Sequence, residues 1–196
     1  MQKRLLFLPG LLAGPIFFSA IYALATMLDG YSHVSQTVSE IGRQGSPAET
    51  WLQLTNLIVA ICLLVFAWGM YLFSRSNNIS RLPAIFMACY AIAEIGVAIF
   101  PSPHRLHNVF GLSMTIGYMT PLVLALSWKK LSNSGQLITA SWVAFALVII
   151  TIFLNLSPAF ARDLYPLEYY GIVQRSLFVA FFGWCFYTGS NLFMRA

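Results

Sequence analysis

Six long apolar segments constrain the fold of this chain more than any other feature of its sequence. Several of them reach the roughly 20 residues that a helix needs to cross a bilayer, and short polar stretches separate them. They predict membrane spans at approximately 4–28, 48–74, 82–100, 107–128, 136–156 and 169–193. We therefore expect an all-α protein, a single polytopic bundle of six transmembrane helices that covers residues 1–196.

The composition agrees with a membrane protein. The chain is 59% hydrophobic and only 9% charged, whereas soluble domains carry about 25% charged residues. Its basic residues lie at the edges of the apolar segments and form no contiguous basic face, so we expect membrane lipids as partners and no nucleic acid. Cys62, Cys89 and Cys185 fall within predicted spans, where we expect free thiols.

The distribution of lysine and arginine predicts the orientation. Seven of the eleven cations lie at the N-terminus, in the second and fourth loops, and at the C-terminus: Lys3, Arg4, Arg75, Arg81, Lys129, Lys130 and Arg195. Because cytoplasmic loops are enriched in these residues, both termini are predicted to be cytoplasmic. The first apolar segment is longer than the core of a signal peptide, so we expect an uncleaved span there.

Two charged residues fall inside predicted spans. Glu94 in the third span and Arg175 in the sixth lie at similar depths, roughly 9 Å below the outer surface. A charge in hydrocarbon is costly and usually faces the protein interior with a partner. The sequence therefore predicts an ion pair between Glu94 and Arg175. The alternative is that both residues line a polar cavity that binds a ligand or exchanges protons.

Two histidines, His104 and His107, lie three residues apart at the start of the predicted fourth span. On a helix this spacing would place both on one face, as metal ligands or as a base with its orienting partner. No third ligand and no metal-binding motif accompanies them, so we interpret them as interfacial side chains and expect neither a metal nor a cofactor.

Strong polarity within the spans is concentrated in their outer halves. This asymmetry predicts an outward-facing pocket and argues against a channel, which would need polar residues along its whole length. The candidate ligand-binding residues are Ser39, Glu40, Asn56, Glu94, His104, His107, Asn108, Gln174 and Arg175, and the candidate catalytic residues are Glu94, His107 and Glu40.

The first outward segment is about twenty residues long, a length more often functional than a short turn. Within it, Thr37 to Glu40 fits a capping box, which predicts a short helical turn that Gly42 and Gly45 would end. Each outward segment also contains a Ser-Pro pair, at 46–47, 102–103 and 157–158. The near-equal spacing leaves an internal repeat open, although Ser-Pro is also a common way to start a helix.

Several short motifs resemble a bacterial and archaeal family of six-span membrane proteins, the domain of unknown function 998. The matching segments are Gly14-Pro15, Thr37-Val38-Ser39-Glu40-Ile41-Gly42 before Gly45-Ser46-Pro47, Phe100-Pro101 before His107, and Gly171-Ile172-Val173-Gln174-Arg175. The resemblance implies an inner or plasma membrane location and no established activity. The acidic residue that the family commonly has soon after Phe-Pro is absent, so no carboxyl side chain is available there for a role as an acid.

Four functions follow from these features. The first is a membrane protein whose pocket binds a lipid head group or a small polar ligand, with Arg175 on an anionic group. The second is an enzyme acting on a lipid-linked substrate, with His107 as base and Glu94 or Glu40 as acid. The third is a proton-coupled transporter in which Glu94 carries the proton. The fourth is a purely structural role. The sequence leaves homo-oligomerisation open.

Overall fold

The computed structural model describes residues 3–195 and, within that range, contains helices and no strand. Helix accounts for 77% of the chain, and six helical segments are long and apolar enough to cross a membrane. The α-helices are α1 Leu8–Ala25, α2 Val38–Ile41, α3 Glu49–Ser76, α4 Leu82–Ile99, α5 Arg105–Tyr118, α6 Thr120–Ser127, α7 Gly135–Leu156 and α8 Tyr170–Arg195. The all-α, six-span prediction is confirmed.

The spans form a closed ring in chain order. Helices α1, α3, α4, α7 and α8 are the first, second, third, fifth and sixth spans, and α5 with α6 forms the fourth. Each span packs on its neighbours in sequence, and α8 closes the ring against α1. Lys3 and Arg195 line the same small cavity, so both termini lie at one end of the bundle. We call the opposite end the distal end.

Aromatic side chains fill the interior of the ring. Tyr90 of α4 stacks on Phe181 of α8 with ring centroids 4.4 Å apart, and Tyr118 of α5 meets Phe181 edge-on at 5.0 Å. The outer surface is also apolar, since side chains such as Trp68 and Ile150 are more than half exposed. A packed interior with an apolar exterior is the arrangement that a lipid environment requires.

The fourth span is broken near its middle. Pro121 has no N–H to donate to the carbonyl of Gly117, and α5 ends at Tyr118. The hydroxyl of Thr120 donates to that carbonyl instead, at 2.5 Å. Beyond the break, α6 packs against α7, whereas α5 packs against α4. The distal half of the fourth span therefore separates from the fifth span.

Two glycines of α5 test how this half-span is held. A side chain at Gly117 would meet the backbone of Tyr90, with its Cβ 2.7 Å from the Cα, whereas a Cβ at Gly111 meets nothing within 4 Å. We expect Gly117→Ala to destabilise the protein by about 1–3 kcal/mol, because the backbone of α4 cannot give way. Gly111→Ala should be neutral or stabilising by up to about 1 kcal/mol.

Thermal unfolding of the two purified variants in the same detergent measures the difference. Equal midpoints for Gly117→Ala and Gly111→Ala would contradict the close packing of α5 on α4 described above.

Candidate functional site

The guanidinium of Arg175 does not pair with Glu94. Its Nη1 donates to the backbone carbonyls of His33, Gln36 and Gly171 at 3.0, 2.8 and 2.9 Å, and its Nη2 donates to the hydroxyl of Tyr31 at 2.5 Å. The predicted ion pair was therefore wrong. Carbonyl oxygens compensate the buried positive charge, and those of His33 and Gln36 belong to a loop that the sequence could not place over α8.

That loop, residues 29–48, lies over the distal end and is called here the cover segment. The residue that precedes Arg175 in α8 also holds the segment, because the side-chain oxygen of Gln174 accepts from the N–H of Val38 at 2.7 Å. The N–H of Ile172 donates to the carbonyl of Val34 at 3.0 Å. At Gly171 a Cβ would lie 2.5–2.8 Å from three carbonyls of the segment, so only glycine permits this approach.

The contacts of Arg175 predict local loosening when they are removed. In Arg175→Gln the cover segment loses several charge-assisted hydrogen bonds, each worth about 1.5–3 kcal/mol. We expect hydrogen exchange to rise in residues 31–42 far more than in the spans. Ser176→Ala is the matched control, because the Ser176 hydroxyl bonds only within α8, to the carbonyl of Ile172. Uniform loss of protection over the whole chain would contradict a local role for Arg175.

His33 sits in the cover segment beside Arg175. Its ring centroid lies 4.5 Å from that of Tyr22 and 5.2 Å from that of Tyr31, and its Nδ1 is buried without a hydrogen-bond partner. Burial, and then the nearby charge of Arg175, lower the pKa of His33 below its usual value. The segment is therefore docked with His33 in its neutral form.

This lowered pKa predicts that acid loosens the cover segment. As the pH falls below about 6.5, an undocked His33 takes up a proton before the docked one does, so the docked state loses stability. Above that pH the effect is absent. We expect the exchange protection factors of residues 31–42 to fall between pH 7.5 and 5.5, and His33→Gln to remove this dependence. His104→Gln, at an exposed histidine of the same end, should keep it. Identical pH profiles in all three proteins would refute the assignment.

A cavity of about 430 Å³ lies beneath the cover segment, between α5 and α7. Buried side chains of α1, α4 and α8 form its inner wall, and residues 37–39 of the cover segment form its distal wall. Toward α5 and α7 the lining residues become exposed, with Leu112 at 63% and Leu156 at 48%. The cavity thus opens sideways, through the gap left by the broken fourth span.

The cavity brings together five of the nine residues predicted to bind a ligand. They are Ser39, Glu94, His107, Asn108 and Gln174.

The other four lie outside this lining. Arg175 and Glu40 serve the cover segment, where the carboxylate of Glu40 accepts from the N–H and hydroxyl of Thr37 at 3.3 and 3.0 Å. This is the predicted capping box, and it starts α2. His104 is the N-cap of α5, with its Nδ1 accepting from an N–H of the first turn, so it does not share a helical face with His107. Asn56 is buried, with its Oδ1 unpartnered.

Glu94 lies in the buried part of the cavity wall. Its side chain is 4% exposed, and within residues 3–195 its carboxyl makes no hydrogen bond and no ion pair. Tyr118 of α5 lines the same part of the cavity and is 3% exposed. Because Glu94 lines the cavity and has no partner in the described protein, a ligand in the cavity can reach its carboxyl.

The geometry fixes the protonated nitrogen of His107. Its Nδ1 lies 2.9 Å from the backbone carbonyl of Phe100. A carbonyl oxygen can only accept, so Nδ1 carries the hydrogen and the neutral ring leaves Nε2 with its lone pair. Nε2 makes no hydrogen bond to any part of the chain that the structure describes, and it can act as an acceptor or a base on the cavity side.

Two amide side chains are oriented by the same reasoning. Because the oxygen of Gln174 accepts from Val38, its amide hydrogens remain for the cavity. Asn155 has the opposite arrangement, since its nitrogen donates to the carbonyls of Thr151 and Val173 at 2.8 and 3.1 Å. Its oxygen therefore remains as an acceptor on the cavity lining.

Sequence reasoning did not select Asn155, Tyr118 or Tyr170, although all three line the cavity. Asn155 carried a signal, since it is a polar side chain near the end of an apolar segment. The two tyrosines carried none, because tyrosine is common at membrane surfaces and in aromatic cores. Among residues 3–195, no group of three or more His, Cys, Asp and Glu side chains is placed to hold a metal ion.

The family described as "Protein of unknown function (DUF998)" matches residues 11–191 of this chain, and the chain belongs to it. No curated protein and no solved structure matches the chain.

Proposed function

We propose that this DUF998 membrane protein binds the polar head of an amphipathic molecule in the cavity beneath the cover segment, with the apolar part of the molecule directed into the bilayer between α5 and α7. The observation that carries the proposal is Glu94, a carboxyl buried in the cavity wall without a partner in the protein. A ligand in the cavity can supply this carboxyl with the hydrogen-bond partner that the described protein does not provide.

The shape of the cavity favours an amphipathic ligand over a small polar one. Polar side chains from several helices share the lining with apolar ones, and on α5 and α7 these include exposed Leu112 and Leu156 with half-buried Ile152. A wholly polar molecule would leave these apolar side chains without a complementary surface. A molecule with an apolar chain can cover them and still place its head beside Glu94.

The cover segment supports a role in enclosing the head group. Residues 37–39 form part of the cavity lining, and Gln174 and Arg175 hold the segment in place from α8. The distribution of lysine and arginine supports the further proposal that this end of the bundle faces the outside of the inner or plasma membrane. The ligand would then come from the outer leaflet.

Filling the cavity from within tests the proposal. Gly111 lines the cavity and has open space around it, so Gly111→Phe should occupy part of the volume without disturbing the helices. We expect amphipathic molecules that co-purify with the wild-type protein to be lost in this variant, as measured by mass spectrometry of the extracted protein.

Gly183→Phe is the matched control, because Gly183 of α8 is exposed, also has open space around it, and lies outside the lining. It should retain the bound molecules, and both variants should keep the wild-type helix content as measured by circular dichroism. Equal retention in Gly111→Phe and Gly183→Phe would count against the cavity as the binding site.

A further inference from the structure

The charges around the cavity restrict what kind of head group it can accept. Within the described lining, Glu94 is the only acidic side chain, and no lysine or arginine is present. Arg175 is the cation that the sequence predicted to bind an anionic group, but it does not face the cavity. The α8 residues that face the cavity are Gln174, Leu177 and Phe178. Arg175 lies on the adjoining face of the helix with Ile172 and Val179. An anionic head group would therefore meet a carboxyl and no compensating cation.

Hydrogen-bonding capacity restricts the head group further. Besides Asn108 and Tyr118, whose side chains offer both donors and acceptors, three acceptors border the cavity with no donor from the described chain: the carboxyl of Glu94, Nε2 of His107 and Oδ1 of Asn155. Nε2 of His107 is fixed as an acceptor because Nδ1 of the same ring donates to the carbonyl of Phe100. Oδ1 of Asn155 is fixed as an acceptor because Nδ2 of the same amide donates to the carbonyls of Thr151 and Val173. A matching ligand must bring donors.

Resting on the proposed function, we propose that the head group is a primary ammonium, R–NH3⁺, carried by an amphipathic molecule. A primary ammonium supplies three N–H donors and no acceptor, which matches the three unfilled acceptors, and its positive charge complements Glu94. The amide hydrogens of Gln174, on the same lining, then serve an oxygen atom adjacent to the amine.

Single-chain probes separate these requirements. Dodecylamine presents three N–H donors and a positive charge, dodecyltrimethylammonium keeps the charge without donors, and dodecanol and dodecyl phosphate supply a neutral and an anionic head on the same chain. Ethanolamine supplies the amine without the chain. Each probe is titrated into the full-length protein in a neutral maltoside detergent, and native mass spectrometry reports the bound fraction.

We expect dodecylamine to bind at least about tenfold more tightly than dodecyltrimethylammonium or dodecyl phosphate, and ethanolamine to bind weakly because it cannot cover the apolar side. Glu94→Gln, which keeps the size of the side chain, should weaken dodecylamine by at least about tenfold and leave dodecanol unchanged. Glu168→Gln is the charge-matched control, since Glu168 is exposed at the same end and outside the cavity lining. It should not alter any affinity.

The outcomes distinguish the two proposals. Equal binding of dodecylamine and dodecyltrimethylammonium, or equal affinities in Glu94→Gln and wild type, would overturn the primary ammonium. Preference for dodecanol or dodecyl phosphate would overturn it as well and leave the amphipathic ligand standing. Tight binding of ethanolamine alone would keep the amine and overturn the amphipathic ligand. If none of the five probes bound, both proposals would fail.

Discussion

The buried guanidinium of Arg175 is the constraint on which the distal end of this protein depends. A cation placed within an apolar bundle needs acceptors, and in this fold they are backbone carbonyls of the cover segment and the hydroxyl of Tyr31. Meeting that need fixes the segment on α8. The segment in turn supplies residues 37–39 to the cavity, so one electrostatic requirement also determines where the distal wall of the cavity lies.

A second constraint acts on the opposite side of the cavity. The missing N–H of Pro121 separates α5 from α6, and Thr120 satisfies the carbonyl that this leaves free. The half-helix α6 closes the ring against α7, while α5 remains with α4. The cavity exists because these constraints act at different places: one holds a loop over the distal end, and the other opens a side entrance below it.

The architecture was predictable because membrane spans depend on length and hydrophobicity, which are local properties of a sequence. The capping box from Thr37 to Glu40 was predictable for the same reason, since its hydrogen bonds join residues three apart. The partner of Arg175 was not, because depth along a span does not specify the direction of a side chain. The helical period places Gln174 and Arg175 on different faces of α8. Only the fold shows that the cover segment supplies hydrogen-bond partners to both of them.

The same distinction explains which candidate residues came together. Glu94, His107, Asn108 and Gln174 converge because α4, α5 and α8 present their distal halves to one space, and the cover segment brings Ser39 to it. His104 was misjudged by its backbone: as the N-cap of α5 it lies outside the helix, so spacing by three residues implies no shared face. Asn155 and Tyr118 join the site through the separation of α5 from α7, which a hydropathy pattern does not reveal.

The motif from Gly171 to Arg175 shows how one turn of helix can serve the loop and the cavity together. Gly171 has no side chain because carbonyls of the cover segment occupy that space, and the N–H of Ile172 bonds to one of them. Arg175 completes this seat on one face of the helix. Gln174, rotated to the next face, binds the cover segment through its oxygen and therefore presents its amide hydrogens to the cavity. Any displacement of the segment must break the bond that orients Gln174, so the position of the cover and the polarity of the cavity are coupled through one side chain.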